Sequence, residues 1–176
     1  MHNNKNTVHY RKSIRLKEFN YTTPWWYYVT ICTNNHKKFF SEIKKGKVVL
    51  NEYGKIVEEE WFKTKKIRNN IDLDYHVIMP NHFHGIIIIE SSDKTRLVTT
   101  DERRFGKPLP GSLSTIIGSF KSAVTKNINI IRKSPGNKVW QSRFYDHIIR
   151  NEKDLFRIRT YIQNNPLKWE LDEYYQ

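Results

Sequence analysis

The segment Asp74–Glu90, DYHVIMPNHFHGIIIIE, leaves this chain few ways to fold. Two runs rich in β-branched residues flank Pro80-Asn81, a pair that suits a tight turn and not the middle of a sheet ladder. They read as two strands, residues 74–79 and 82–89, and the second ends in an isoleucine run that must be buried. Such a strand needs partners. WWYYVTIC over 25–32 is aromatic and β-branched, a strand signal, and KVWQSRFYDHIIR holds a final strand region.

Helices are predicted between and after these strands. NEYGKIVEEEWFKTKKI, residues 51–67, reads as a helix with apolar positions Ile56, Trp61 and Ile67 and a weak point at Gly54. Ser112 caps a helix running to about Ile131, with Leu113, Ile116, Ile117, Phe120 and Val124 on one face. Asn151 opens the last helix, with Glu152 and Asp154 in the first turn, where negative charge suits the helix dipole, and Asn165-Pro166 stops it. Its Leu155, Ile158 and Ile162 form a face that packs on the sheet. TNNHKKFFSEIKKGK reads as a polar connection. The order strand, helix, strand, strand, helix, strand, helix predicts an α+β sandwich close to the ferredoxin-like arrangement, an antiparallel central sheet with helices on one side.

Length suits one core: 176 residues, 38% of them apolar. Residues 1–20 read as a basic arm carrying Arg11, Lys12, Arg15 and Lys17, residues 21–176 as one domain, and 91–111 as a long basic loop within it. The 31 Lys and Arg against 18 Asp and Glu give 31 − 18 = +13, and a pI near 9.8 makes a polyanion the expected partner. Nucleic acid is the first expectation and an anionic membrane surface the second. The lone Cys32 excludes an internal disulfide and a four-cysteine zinc site. With no signal-type start and no apolar stretch of spanning length, the chain reads as cytoplasmic and nucleoid-associated, with no membrane partner.

Side chains alternate across a strand, so His82 and His84 point to one face and Phe83 to the other. Two imidazoles so placed can hold one metal ion, but they supply only two ligands, and the alternative is a pair of half-exposed histidines at a strand start. His76, on the preceding strand, either shares their side or is a core histidine. On the last helix Tyr161 flanks the apolar face, and Asn165, four residues on, projects the same way. A phenol and an amide carbonyl there could be nucleophile and third ligand, or an edge aromatic and a C-terminal cap.

Read together, these pieces resemble a known family. YHVIMPNHFHGIIII is similar to the His-hydrophobic-His (HUH) segment of single-tyrosine HUH transposases, and most closely to that of the REP-associated tyrosine transposases, relatives of the small insertion-sequence transposases. That family shares the MPNHxH string, here Met79–His84, and a late helix ending in YIxxNP, here Tyr161, Ile162, Asn165 and Pro166. RKSIRLKEFNY with YYVTICT, and WQSRFYDHIIRNEKDL, are similar to its other segments, so the resemblance covers most of residues 10–170.

The resemblance implies a ferredoxin-like domain with the HUH pair on a central strand and the nucleophile on the last helix. It also implies a metal-dependent transposase and endonuclease that cleaves and rejoins single-stranded DNA at REP-like hairpins through a 5′-phosphotyrosine. Tyr161 would be the nucleophile, and His82, His84 and, less directly, Asn165 the ligands of Mg²⁺ or Mn²⁺. Phosphate contacts are expected from Arg11, Lys12, Arg15, Lys17, Lys121, Arg143, Arg150 and Arg157, with Trp25, Trp26, Tyr27 and Tyr28 offering stacking faces of which at least half must be core. A phosphotyrosine keeps the energy of the broken bond, so no nucleoside triphosphate is expected, in keeping with the lack of a phosphate-binding Gly-Lys-Ser/Thr loop. The protein would act as a monomer or a homodimer. Two other readings remain: a catalytically idle hairpin-binding module of the same fold, and a metal nuclease that uses water.

Overall fold

The computed structural model describes residues 23–91 and 109–175. The arm with Arg11, Lys12, Arg15 and Lys17, and most of the 91–111 loop, lie outside the described residues.

Six strands and three helices follow in the order β1 (Trp25–Cys32), β2 (Ser41–Lys44), β3 (Lys47–Leu50), α1 (Glu52–Lys66), β4 (Ile71–Ile78), β5 (His82–Ile89), α2 (Leu113–Ile131), β6 (Tyr145–Ile148) and α3 (Glu152–Asn164). Four strands make one antiparallel sheet in the order β4-β5-β1-β6. Counted along the chain, its strands lie 2-3-1-4, which is the ferredoxin-like order, with β5 and β1 central. β2 and β3 form a separate hairpin within and just beyond the stretch expected to be a polar connection. Each β2–β3 strand has only four residues and few buried side chains, so no period-two signal marks it in the sequence.

The sheet's odd-numbered positions on β1 and β5 carry the main core: Tyr27, Val29, Ile31, Phe83, Ile87 and Ile89 pack against Val57 and Trp61 of α1 and against Leu113, Ile116, Ile117, Phe120, Val124 and Ile128 of α2. The rings of Trp61 and Phe83 lie 4.8 Å apart, and Phe120 closes the cluster 5.4 Å from Trp61. Gly85 is required at this crossing, because a Cβ there would sit 2.8 Å from both the Phe83 ring and the Trp61 ring. Gly54 has a similar cause: the start of α1 lies against the Phe40 carbonyl, where a Cβ would collide. The buried row of α1 is Gly54, Val57, Trp61 and Thr64. Ile67, expected among its apolar positions, is exposed, because it follows the last helical turn.

A bulge between Leu73 and His76 resets the alternation of β4, so that Ile71 and Leu73 before it and His76 and Ile78 after it all face α1 and α2. That break hides residues 71–73 from a period-two reading, and the strand begins three residues before the expected 74. It also settles His76, whose ring stacks on Phe83 and meets Phe62 edge-on, away from His82 and His84.

α1 and α2 thus cover one side of the sheet. α3 lies over the other, where a smaller cluster of Tyr28, Ile86, Ile149, Ile158 and Ile162 holds it. Its start is fixed by Asn151, whose Oδ1 accepts from the Asp154 amide at 2.9 Å. Arg159 adds a two-pronged contact to Asp74 on the β4 bulge (2.9 and 2.5 Å). Among the described residues no helix is long and apolar enough to cross a membrane.

Candidate metal and tyrosine site

The site lies on the α3 side of β5. His82 and His84 are fully buried, with ring centroids 4.5 Å apart. Each is held through Nδ1. Asn81, itself buried, donates from Nδ2 to the Tyr174 carbonyl at 2.6 Å, which fixes its amide orientation and leaves Oδ1 2.9 Å from His82 Nδ1. An amide oxygen only accepts, so the proton is on His82 Nδ1 and the Nε2 lone pair is free. His84 Nδ1 lies 2.7 Å from Tyr28 Oη and 2.9 Å from Thr30 Oγ1, two hydroxyls able to accept its proton in the same tautomer. Both Nε2 atoms are buried without a hydrogen-bond partner, and so is Asn165 Oδ1.

Burial drives the pKa of both imidazoles down, to about 4 for His82 and well below the ordinary value for His84, whose neighbour His82 acts in the same direction. Both are therefore neutral at pH 7, the form that binds metal. Neutral imidazole nitrogens with fixed outer partners, next to an unpartnered amide oxygen, fit a divalent cation. The Asp172 carboxylate completes the set: ligand atoms of His82, His84 and Asp172 lie within 4.8 Å of one another.

Asp172 is the site residue that the sequence does not reveal. It stands seven positions beyond Asn165 in a tail with no period. It reaches the histidines because a 3₁₀ segment, Pro166–Leu171, turns the chain back after the proline, with Trp169 buried 5.9 Å from the His82 ring. Asp172 Oδ2 accepts from Asn165 Nδ2 at 2.6 Å and from the Tyr161 hydroxyl at 3.4 Å. Tyr174 then lies over His82, with ring centroids 4.8 Å apart.

Tyr161 projects toward this group from α3, its ring 5.3 Å from that of His84 and 6.5 Å from that of Tyr28. It is 40% exposed, so the phenol is open to a substrate. Partial burial and the carboxylates of Asp172 and Glu173 push its pKa up. A cavity of about 490 Å³ opens beside it, lined by Tyr28, Tyr145, His147, Arg157 and Glu173 among others. Tyr161, His82, His84 and Asn165, predicted from separate parts of the sequence, are thus brought together.

The basic residues have varied settings. Arg143, Arg150 and Arg157 are exposed, and Arg157 pairs with Asp154 at 2.7 Å. Lys121 is turned inward: its Nζ donates to the carbonyls of Gln141, Ser142 and Arg143 at 2.7, 3.2 and 3.4 Å, and burial lowers its pKa to about 8. It clamps the approach to β6. Of the four aromatics on β1, Tyr27 and Tyr28 are buried on opposite faces that are both covered, and Trp25, at the start of the strand, is exposed.

No family model matches the chain. An uncharacterised protein of Haemophilus influenzae is 39% identical over 176 residues, 96% of this chain and 94% of its own length. A second protein of that organism, named provisionally as a REP-associated tyrosine transposase, is 29% identical over 93 residues, 52% of this chain and 47% of its own. A solved REP-associated tyrosine transposase bound to a REP hairpin superposes with a TM-score of 0.61 at 19% identity, covering 90% of this chain and 76% of that one. The chain shares the fold of that solved transposase. The two strings that carry the resemblance, MPNHFH and YIQNNP, supply His82, His84, Tyr161 and Asn165 to this site, from β5 and from the end of α3.

Proposed function

We propose that this protein cuts and rejoins single-stranded DNA at hairpins, with Tyr161 as nucleophile and with a divalent cation, Mg²⁺ or Mn²⁺, held by His82 and His84. The observation that carries the proposal is the pair of buried, unpartnered Nε2 atoms facing an unpartnered Asn165 Oδ1 beside the open phenol of Tyr161. Buried polar atoms are normally satisfied, and three orphans in one place suit a missing ligand. Asn165 supplies a third donor and Asp172 a fourth. A bound ion would offset the charge of a phosphodiester and oppose the rise in the phenol's pKa.

Every other part falls to the chain. Asn81, Tyr28 and Thr30 orient the imidazoles, and burial keeps them neutral. The packing of Ile158 and Ile162 sets the height of Tyr161 over β5. Attack by the phenol would give a 5′-phosphotyrosine and a free 3′-hydroxyl, and the reverse attack would rejoin the strand without a nucleoside triphosphate. Exposed Arg143, Arg150 and Arg157, together with Arg11, Lys12, Arg15 and Lys17 of the arm, would take phosphates, so affinity should fall steeply with salt. Hairpin DNA as the partner is supported by the solved relative, which was captured on a REP hairpin.

The test uses a labelled hairpin with a single-stranded flank, taken from beside the gene, incubated with Mg²⁺ or Mn²⁺ and resolved under denaturing conditions. Cleavage with a metal-dependent protein–DNA adduct is the expected result. Cleavage without an adduct would make the protein a water-using nuclease, and salt-sensitive binding without cleavage in either metal would make it a hairpin-binding module.

A further inference from the structure

One polar group facing the Tyr161 cavity has no part in the chemistry so far. His147 on β6 lines the cavity, and its Nε2 lies 2.7 Å from Asp154 Oδ2. Asp154 takes Arg157 on its other oxygen, at 2.7 Å. A carboxylate on one imidazole nitrogen fixes the ring and leaves the other nitrogen free for proton transfer. Register puts His147 beside Tyr28, the residue whose ring lies 6.5 Å from that of Tyr161.

Seven residues, about two helical turns and roughly 10 Å of rise, separate Asp154 from Tyr161 on α3. The phenol itself points to Asp172, 3.4 Å away, while its ring lines the same cavity as His147. A phosphodiester held in that cavity would lie between the Tyr161 phenol and the His147 imidazole, which both line it. An in-line displacement sends the leaving oxygen away from the nucleophile, so it needs a proton donor other than the attacking phenol.

We propose that His147, positioned by Asp154, gives a proton to the leaving 3′ oxygen during cleavage and takes it back during rejoining; this rests on the strand-cutting reading above. The phenol oxygen of Tyr161 forms a bond to phosphorus, and the bond from phosphorus to the 3′ oxygen breaks. Its electron pair stays on that oxygen, which takes the His147 proton and leaves as a hydroxyl. The phenol proton departs to water, which reaches the half-exposed ring. The groups facing His147 across the cavity are Tyr28 on β1, Tyr145 on its own strand, Arg157 and Tyr161 on α3, and Glu173 and Tyr174 on the tail.

The experiment compares two Mn²⁺-loaded single-turnover substrates, one with the natural 3′ oxygen and one with sulfur in its place at the scissile bond. A thiolate leaves without a proton. His147→Gln should slow adduct formation by about 10²- to 10⁴-fold on oxygen and by less than about tenfold on sulfur. Asp154→Asn should show the same selectivity with a smaller loss. Equal loss on both substrates would reduce His147 to a brace between β6 and α3 and overturn the proposal, as would no loss on either. If the wild-type protein forms no adduct with either substrate, the strand-cutting reading itself fails and takes this one with it.

Discussion

Phe83 and His84 are consecutive residues on one central strand, both fully buried, and they serve opposite sides of the sheet. The Phe83 side is a continuous aromatic and aliphatic core under α1 and α2. The His84 side has a small apolar cluster that holds α3 and, next to it, a polar pocket with unpartnered nitrogens. The sheet is rigid because of the first side, and that rigidity fixes where the second side's polar atoms point. The difference shows how a single strand with period-two alternation separates stability from chemistry.

The largest expected effect falls on the packed side. Phe83→Ala removes a ring enclosed by Trp61 and Phe120, and unfolding in urea should show a loss of about 3–5 kcal/mol. A loss under 1 kcal/mol would mean that the two sides do not differ in this way.

The histidine side should reveal itself through pH. His82 titrates near 4 when folded, against 6.5 ordinarily. Between those values the unfolded chain holds more protons, so stability of the metal-free protein is complete above about pH 6.5 and falls as pH drops toward 4. The shift corresponds to about 3 kcal/mol, with His84 acting in the same direction. Urea unfolding at pH 7.5 and 4.5 should show this slope in the wild type and a shallower one in His82→Gln. Equal slopes would place the imidazole in water.

Metal should stabilise the same side. At 100 times its Kd, Mn²⁺ should add about 2.7 kcal/mol, a rise of roughly 5–10 °C in Tm for a chain of this size. His84→Ala should abolish the rise, and Phe62→Ala, on the exposed flank of α1, should leave it intact. The smallest effect concerns the joint between the two sides. Asp74→Asn weakens the contact of the β4 bulge with Arg159 and should cost about 1 kcal/mol, read by the same unfolding curves.

Much of this organisation is legible in the residues. Alternation alone gives the shared face of His82 and His84, and helical spacing gives the shared direction of Tyr161 and Asn165. Capping residues mark the starts of two helices, Ser112 and Asn151, because a side-chain oxygen there meets a free amide, and the structure adds Asn51 at the start of α1. What the sequence conceals depends on breaks in period. The β4 bulge hides residues 71–73, and the short β2–β3 hairpin has too few buried side chains to mark it. Asp172 enters the site only through the turn after Pro166, a tertiary event with no periodic trace. Lys121 reads as a surface cation, and only the fold shows three carbonyls around it.

The most direct measurement is the chemical identity of the residue joined to DNA. A trapped adduct, digested with protease and nuclease and analysed by tandem mass spectrometry, should carry a nucleotide 5′-phosphate on the peptide containing Tyr161, and Tyr161→Phe should bind the hairpin while giving no adduct. A nucleotide on another residue, or an undiminished adduct from Tyr161→Phe, would contradict the assignment of the α3 side of the sheet as the site of strand cleavage.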